Sequence, residues 1–146
     1  MFEIDEVTVS RLTSSEASRA RTAVTSVFGE SASGERLSSF LSDKGNYLLV
    51  AESEGSVGGI LLAYRLERIK DQGFKIFLYE IEVSDEMRRS GLGRSLISEL
   101  LSIARAEGAR SVFGITNRTY PGAREFYLAT GAVIVGEEEI LFAYSI

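Results

Sequence analysis

Hydrophobic and polar positions change their period along the chain, and this change predicts alternating strands and helices. Apolar and polar residues alternate from Val7 to Leu12 in the manner of a strand, and the next segment, from about Ser14 to Phe28, reads as a helix. A short helix follows at about Glu35 to Leu41. Two apolar runs, Tyr47 to Glu52 and Ser56 to Leu66, flank a Ser-Glu-Gly turn and predict a hairpin.

The second half of the chain repeats this change of period. Phe74 to Val83 is the longest candidate strand, and its first residues are apolar on both faces, so we expect it at the centre of the sheet. Leucines and isoleucines then recur every three or four residues from Leu92 to about Glu107, which predicts an amphipathic helix. The remaining predicted elements are a strand at Ser111 to Ile115, a helix from Pro121 to Gly131, and strands at Ala132 to Val135 and Ile140 to Tyr144.

This order of elements predicts an α/β (α+β) fold with a mixed sheet of about seven strands and four helices. The 146 residues are typical of one domain, residues 1–146, and 45% apolar residues suffice for a core. No apolar stretch is long enough to span a membrane, and the acidic N-terminus does not resemble a signal peptide, so we expect a cytoplasmic protein without a membrane partner.

Composition restricts the chemistry further. The chain has no cysteine and no histidine, which excludes thiolate nucleophiles, Ser-His relays and the usual zinc ligands. Any catalysis must therefore use carboxylates, tyrosine, lysine, serine or the backbone. The net charge of −5 disfavours nucleic acid and favours cationic ligands, although it also simply keeps a small protein soluble.

A glycine-containing segment, Arg88 to Ser95, lies between the long strand and the long helix. Glycines allow successive backbone N–H groups to converge on one anion, and a helix N-terminus and three arginines add positive charge, so the segment predicts a phosphate or pyrophosphate site. A dinucleotide-binding motif would need a third glycine, and a Walker loop would need Gly-Lys-Ser/Thr; neither is present. The alternative is an ordinary turn with solvated arginines.

This segment resembles a known family. Arg88-x-x-Gly91-x-Gly93 is similar to the signature of the GNAT superfamily of acetyl-coenzyme A-dependent N-acetyltransferases, and Asn117 with Ala123 to Gly131 resembles its second motif. Within the superfamily, Tyr79 to Val83 before the arginine-glycine segment is most similar to the aminoglycoside 3-N-acetyltransferase type I group, with Glu80 in place of an aspartate.

The resemblance implies a GNAT-like fold, acetyl-CoA as cosubstrate, no metal, and direct transfer of an acetyl group to a primary amine. The acceptor would be a small cationic molecule, for example an aminoglycoside, and a homodimer is left open. The implied coenzyme-binding residues are Ile81, Val83, Arg88, Arg89, Ser90, Gly91, Leu92, Gly93, Arg94, Ser95 and Asn117. Asn117 is nearly as well explained as an ordinary turn residue.

Proton transfer is assigned to three residues. Glu80 and Glu82 are candidate bases, and strand alternation places both on the face of Ile76 and Leu78; the alternative is that they point into solvent at the strand end. The family resemblance also implies a bulge in this strand, which would break the alternation and turn the coenzyme away from the strand. Glu80 is favoured because it matches the family's acidic position. Tyr127 matches the family's tyrosine near the coenzyme sulfur and is the candidate acid, although periodicity alone suggests a packed helix aromatic.

Two other functions remain open from the sequence. The same fold could serve as a non-catalytic acetyl-CoA-binding regulatory module, which would bind the coenzyme without releasing its thiol. The arginine-glycine segment could instead hold a nucleotide, in which case ATP rather than coenzyme A would stabilise the protein.

Overall fold

The computed structural model describes residues 6–146; Met1 to Asp5, part of the acidic N-terminus considered above, lie outside the described residues. The chain divides into two compact units, the first ending at Ile115 and the second comprising Thr116–Ile146. The helices and strands are β1 (Val7–Arg11), α1 (Ala17–Phe28), α2 (Gly34–Ser42), β2 (Asn46–Ser53), β3 (Ser56–Glu67), β4 (Phe74–Val83), α3 (Leu92–Glu107), β5 (Val112–Gly114) and α4 (Ala123–Ala129), the last of which belongs to the second unit.

The first unit contains a five-stranded sheet with the order β1-β2-β3-β4-β5. The pairs from β1 to β4 are antiparallel, and β5 runs parallel to β4 after the crossover through α3. The mixed, mostly antiparallel sheet and the four helices confirm the predicted α+β fold. Phe74–Val83, which was predicted to sit centrally, is the inner strand β4 and pairs with β3 on one edge and with β5 on the other.

The sheet is covered on both faces by helices. Leu48, Val50 and Ile60 form one buried cluster with Ala20 and Ala23 of α1 and with Leu37 of α2, so we call this side the helix-pair face. Residues next to them along the strands point to the opposite side. On that opposite side, a Cβ added to Gly59 would lie 3.0 Å from Leu96 of α3. We call this side of the sheet the α3 face.

Helix α3 packs closely because β3 has glycines beneath it. Leu92, Leu96 and Leu100 recur every four residues and are fully buried, which explains why this helix was predicted with its observed bounds. A Cβ on Gly58 would collide with the sulfur of Met87 and approach Leu92 Cδ1 to 2.9 Å. The missing side chain therefore allows the start of α3 and the turn before it to rest against β3.

Two predicted strands do not form in the described structure. Ala132 to Val135 and Ile140 to Tyr144 have no strand assignment, so the sheet has five strands rather than about seven. Strand formation needs a neighbouring backbone ladder as well as an alternating pattern, and the ladders that the structure describes run only from β1 to β5. The apolar side chains of these segments are accordingly exposed, Val133 at 76% and Leu141 at 79%.

Two predicted helices begin later than expected. Residues Ser14–Glu16 form a 3-10 turn before α1, and α4 begins at Ala123 because Gly122 takes the left-handed conformation with φ 78°. Among residues 6–146, no helix combines the length and the apolar character that a membrane crossing requires.

A buried tyrosine connects the end of α3 to the sheet. The Tyr47 hydroxyl donates a hydrogen bond to Glu107 Oε2 at 2.8 Å, and the Arg11 guanidinium lies 4.2 Å from the centre of the Tyr47 ring. Arg11 also pairs with Glu107 at 3.4 Å, so three elements meet in one cluster. Burial, followed by the hydrogen bond to Glu107, raises the pKa of Tyr47 to about 12.

We predict that Tyr47→Phe lowers the free energy of unfolding at pH 7 by about 1 kcal/mol, because it removes one hydrogen bond to a carboxylate. Because the pKa of Tyr47 is raised in the folded state, its protonated hydroxyl contributes its full stabilisation to the fold below pH 10. This contribution is lost as the pH rises from 10 towards about 12. Urea unfolding as a function of pH should therefore show the wild-type advantage shrinking in that window. The control is Tyr144→Phe, whose ring is 82% exposed. An equal loss in both variants would contradict the prediction.

We predict that Gly58→Ala lowers the free energy of unfolding by about 1–3 kcal/mol, because the added methyl group overpacks the contact with Met87 and Leu92. Gly34→Ala is the matched control, since a Cβ at this first residue of α2 meets no atom within 4 Å. Urea unfolding of both variants measures the difference. Equal stability of the two variants would show that α3 does not depend on this close approach.

Candidate functional site

Strand β4 contains an irregularity at Tyr79. In the register between β3 and β4, Ala63 pairs with Leu78 but the preceding Leu62 pairs with Glu80, so Tyr79 is an extra residue without a partner on β3. Such a β-bulge bends the strand and changes which face the following side chains occupy. The family resemblance implied a bulge here, and the register shows one.

The bulge transfers the two candidate bases to the other face of the sheet. Glu80 and Glu82 pair with Leu62 and Ile60, and directly paired residues point to the same side, here the helix-pair face. The prediction that they share the face of Ile76 and Leu78 was therefore wrong, because alternation holds only without an extra residue. The two glutamates do share a face with each other, and both are exposed.

Strand β5 leaves β4 at the same point. Its described pairs with β4 are Ile76–Val112, Phe77–Phe113 and Leu78–Gly114, and they end one residue before the bulge. At the last pair, a Cβ on Gly114 would be 3.3 Å from the Leu78 carbonyl oxygen, so glycine permits this close approach. In the described structure, the backbone of Tyr79 to Val83 thus has a strand neighbour on the β3 side only. Ile81 and Val83, the two predicted backbone contacts, lie in this open stretch.

The turn after β4 is held to β3 and to itself. The Ser84 N–H donates to the Gly58 carbonyl at 2.8 Å, and Asp85–Met87 form a short 3-10 helix. Arg88 pairs with Asp85 at 3.1 Å and reaches back to the Val83 carbonyl at 3.4 Å. Its guanidinium therefore both neutralises a neighbouring carboxylate and ties the turn to the strand.

The segment before α3 forms a turn with left-handed residues at the N-terminus of that helix. Arg89 has φ 67° and Gly91 has φ 85°, both in the left-handed region, which only glycine adopts without strain. The Ser95 N–H bonds the Gly91 carbonyl at 3.0 Å and closes the first turn of the helix. A helix leaves the N–H groups before this bond without intrahelical acceptors, and its dipole favours a negative charge there.

The remaining predicted residues of this segment divide by exposure. Leu92 is buried and anchors the helix rather than facing solvent. Ser90 donates a short hydrogen bond to the Met87 carbonyl, which fixes the turn. Arg94 is exposed and Gly93 is half-buried at the first turn of α3. The segment therefore has charged and backbone donors on the outside and one apolar anchor inside.

Tyr127 lies on α4 in the second unit. Its ring meets that of Phe126 edge to face, with the centroids 5.3 Å apart, and burial raises the pKa of the Tyr127 hydroxyl above its ordinary value. The helix ends two residues later, at Ala129, and the Tyr127 carbonyl accepts hydrogen bonds from the N–H groups of Thr130 and Ala132. A phenol that keeps its proton at neutral pH is suited to donate it.

Asn117 also belongs to the second unit, and its side-chain oxygen is engaged in a turn. It accepts hydrogen bonds from the Thr119 N–H at 2.9 Å and from the Thr119 hydroxyl at 2.8 Å, and the Tyr120 N–H bonds the Asn117 carbonyl. The turn role that the sequence left open is therefore present. The side-chain NH₂ is the group of Asn117 suited to donate to a ligand.

The structure thus places the carboxylates, the open backbone and the arginine-glycine turn in one continuous stretch, residues 79–95, of the first unit. Sequence reasoning missed the role of Gly58, the rings of Tyr64 and Phe77 that adjoin Tyr79, and the stacking of Phe113 on Phe77. Those contacts depend on strand register, for which the sequence carries no direct signal.

Solved structures with similar folds include several acetyltransferases. An aminoglycoside acetyltransferase, meta-AAC0020, from an uncultured soil metagenomic sample and in complex with sisomicin has a TM-score of 0.87 and 21% identity, over 96% of both chains. The aminoglycoside N-acetyltransferase AAC(6')-Iy in complex with CoA has a TM-score of 0.77 and 14% identity, over 99% of this chain and 98% of that one. At these identities the similarity shows a shared fold.

Curated relatives and a family model extend the comparison to sequence. N-acetyltransferase 8 of Rattus norvegicus is 30% identical over 99 residues, which are 68% of this chain and 45% of the relative. The Homo sapiens protein of the same name is 29% identical over 99 residues, which are 68% of this chain and 44% of the relative, so the chain spans less than half the length of these relatives. The model of the acetyltransferase (GNAT) family matches residues 14–132. The chain therefore belongs to the acetyltransferase (GNAT) family.

Proposed function

We propose that this chain is a single acetyltransferase domain that moves an acetyl group from acetyl-CoA directly to the primary amine of a small cationic acceptor. The observation that carries the proposal is the departure of β5 from β4 after Leu78, which leaves an open strand edge leading into the arginine-glycine turn. Members of the family use acetyl-CoA, and the open edge and the turn match two different parts of that molecule.

The turn suits the pyrophosphate of the coenzyme. The left-handed Gly91 precedes the N-terminus of a 16-residue helix, and Arg89 and Arg94 are exposed beside it. Backbone N–H groups, the helix dipole and guanidinium groups are the usual donors to a phosphate anion. Arg88 contributes mainly by stabilising the turn, because its charge is shared with Asp85.

The open edge suits the pantetheine arm. This arm carries two amide groups on an extended chain, and an unpaired strand edge offers backbone donors and acceptors to such a chain in the manner of an added strand. In the proposal, the backbone groups of Ile81 and Val83 take this role; in sequence they alternate with Glu80 and Glu82 and precede the turn.

The chemistry needs a proton acceptor and a proton donor. The acceptor's amine loses a proton to Glu80, with Glu82 as the second carboxylate, and the neutral nitrogen attacks the thioester carbon. The C–N bond forms, the C–S bond breaks, and the leaving thiolate takes a proton from the Tyr127 hydroxyl. The remaining extra proton on the acylated nitrogen is then lost to the tyrosinate, which restores the Tyr127 hydroxyl and leaves a neutral amide. What supports these roles is the exposure of both carboxylates on the helix-pair face and the match of Tyr127 to the family's tyrosine position.

One candidate acceptor is an aminoglycoside of the kind modified by the 3-N type I group. Its support is the resemblance of Tyr79 to Val83 to that group, the net charge of −5, and the fold shared with aminoglycoside acetyltransferases. A polycationic acceptor would be attracted by the exposed carboxylates of Glu80 and Glu82.

We predict that acetyl-CoA at 100 times its dissociation constant stabilises the protein by about 2.7 kcal/mol, which is seen as a higher melting temperature. Arg89→Gln should weaken binding about tenfold, because a charged donor to the phosphate is lost. Arg105→Gln, at the opposite end of the same helix, is the matched control and should bind normally. Absence of any shift at millimolar coenzyme would refute the coenzyme assignment, and stabilisation by ATP instead would favour a nucleotide site.

We predict that Glu80→Gln lowers kcat by about 100-fold or more and that Tyr127→Phe lowers it by about tenfold or more, with coenzyme affinity unchanged in both. The measurement is thiol release from acetyl-CoA across a panel of aminoglycosides, polyamines and simple amines. Glu82→Gln, measured in parallel, identifies which carboxylate takes the proton. Coenzyme binding without thiol release for every amine would instead identify a non-catalytic coenzyme-binding module.

A further inference from the structure

Four aromatic rings form a continuous row across strands β3, β4 and β5. The rings of Tyr64 and Tyr79 lie 5.6 Å apart, those of Tyr79 and Phe77 5.9 Å apart, and Phe77 stacks on Phe113 at 5.0 Å. We call these four residues the aromatic row. At its β3 end it continues to Phe40 of α2, whose ring is 5.8 Å from that of Tyr64.

The row lies on the same face as the carboxylates. Tyr64 pairs directly with Phe77, and Phe77 with Phe113, so these side chains point to one side of the sheet. Tyr64 is two residues from Leu62, the partner of Glu80, which places it on the helix-pair face. Tyr79 contacts the rings of both Tyr64 and Phe77 and therefore points the same way.

The middle of the row is open. Tyr79 is 54% exposed, although its ring has two aromatic neighbours, and the next residue along the strand is the exposed Glu80. The pKa of Tyr64 is raised by burial, and then by Tyr79 and Glu80, so the carboxylate lies close enough for its charge to reach the row. Aromatic pairs across strands often only stabilise a sheet, but a buried row would serve that purpose better.

We propose that the aromatic row is the acceptor-binding surface and that it selects an arylalkylamine, a primary amine joined to an aromatic ring by a short carbon chain. The aromatic ring of the ligand packs on the ring of Tyr79, which lies between those of Tyr64 and Phe77. The ammonium group of the ligand contacts the carboxylate of Glu80. The amine is thereby held beside the proton acceptor. This inference rests on the proposed acetyltransferase function and replaces the aminoglycoside with a different class of amine.

Charge and polarity together favour this occupant. The carboxylates of Glu80 and Glu82 complement an ammonium group, and the exposed ring of Tyr79 complements a flat apolar body and attracts a nearby cation. A polyhydroxylated acceptor needs a hydrogen-bond partner for each hydroxyl that it buries, whereas the side chains of the row offer only two hydroxyl groups, those of Tyr64 and Tyr79.

The first experiment measures binding without turnover. Saturation-transfer NMR titrations of the full chain with 2-phenylethylamine and with propylamine compare two amines of equal charge, only one of which has an aromatic ring. We expect 2-phenylethylamine to bind about tenfold more tightly or better, since it alone buries a ring. Tyr79→Leu should remove most of this preference and Tyr79→Phe should retain it. Tyr144→Leu, at a tyrosine that is 82% exposed, should leave it unchanged.

The second experiment measures thiol release with the same two amines and with sisomicin. We expect the largest kcat/KM for 2-phenylethylamine. Equal binding of the two simple amines by the wild-type protein, or a larger kcat/KM for sisomicin, would overturn the inference and leave the acetyltransferase function standing. Selective binding of 2-phenylethylamine that depends on Tyr79, without thiol release for any amine, would support the surface and overturn the function. Because the comparison of ligands uses the wild-type chain, it holds even if Tyr79→Leu does not fold.

Discussion

One extra residue in a strand determines how the rest of this site is arranged. Without Tyr79 as a bulge, simple alternation would turn Glu80 and Glu82 towards α3, where Ile81 and Val83 are now half-buried, and partial burial of two unpaired carboxylates would destabilise the fold. The same shift would remove Ile81 and Val83 from the α3 face. The acidic end of an otherwise apolar strand is therefore compatible with the fold only because the bulge reverses the faces at this point.

The two halves of β4, before and after the bulge, also differ in their strand neighbours. Before it, the strand is paired on both edges; after it, β3 is the only described strand neighbour. The second half would be poorly fixed by one ladder alone, and the turn supplies the missing constraint. Ser84 bonds the backbone of Gly58, Met87 and Leu92 pack over that glycine, and Arg88 bonds the strand end. The strand edge is thus open to a ligand and still held in place.

The local pattern of hydrophobic and polar residues was sufficient to predict most helices and strands, but it was insufficient to predict how the site is arranged. The leucine stripe of α3 and the apolar run of β4 were predictable because each is a property of consecutive residues. The bulge was implied only by resemblance, since it depends on which residue of β3 faces which residue of β4. The two C-terminal segments show the opposite error: their alternation is typical of strands, but alternation does not supply the neighbouring ladder that a strand needs.

The distribution of charge follows from the same stretch of chain. The total of −5 conceals two local regions of opposite sign: exposed carboxylates at the bulge and exposed arginines at the start of α3. They are separated by the second half of one strand and one turn, so a strand rise of about 3.4 Å per residue and the packing over Gly58 set the distance between them. A cationic amine and an anionic coenzyme would then be attracted to different ends of a single rigid segment. Their alignment for direct transfer would depend on the register of β4 rather than on movement of a separate element.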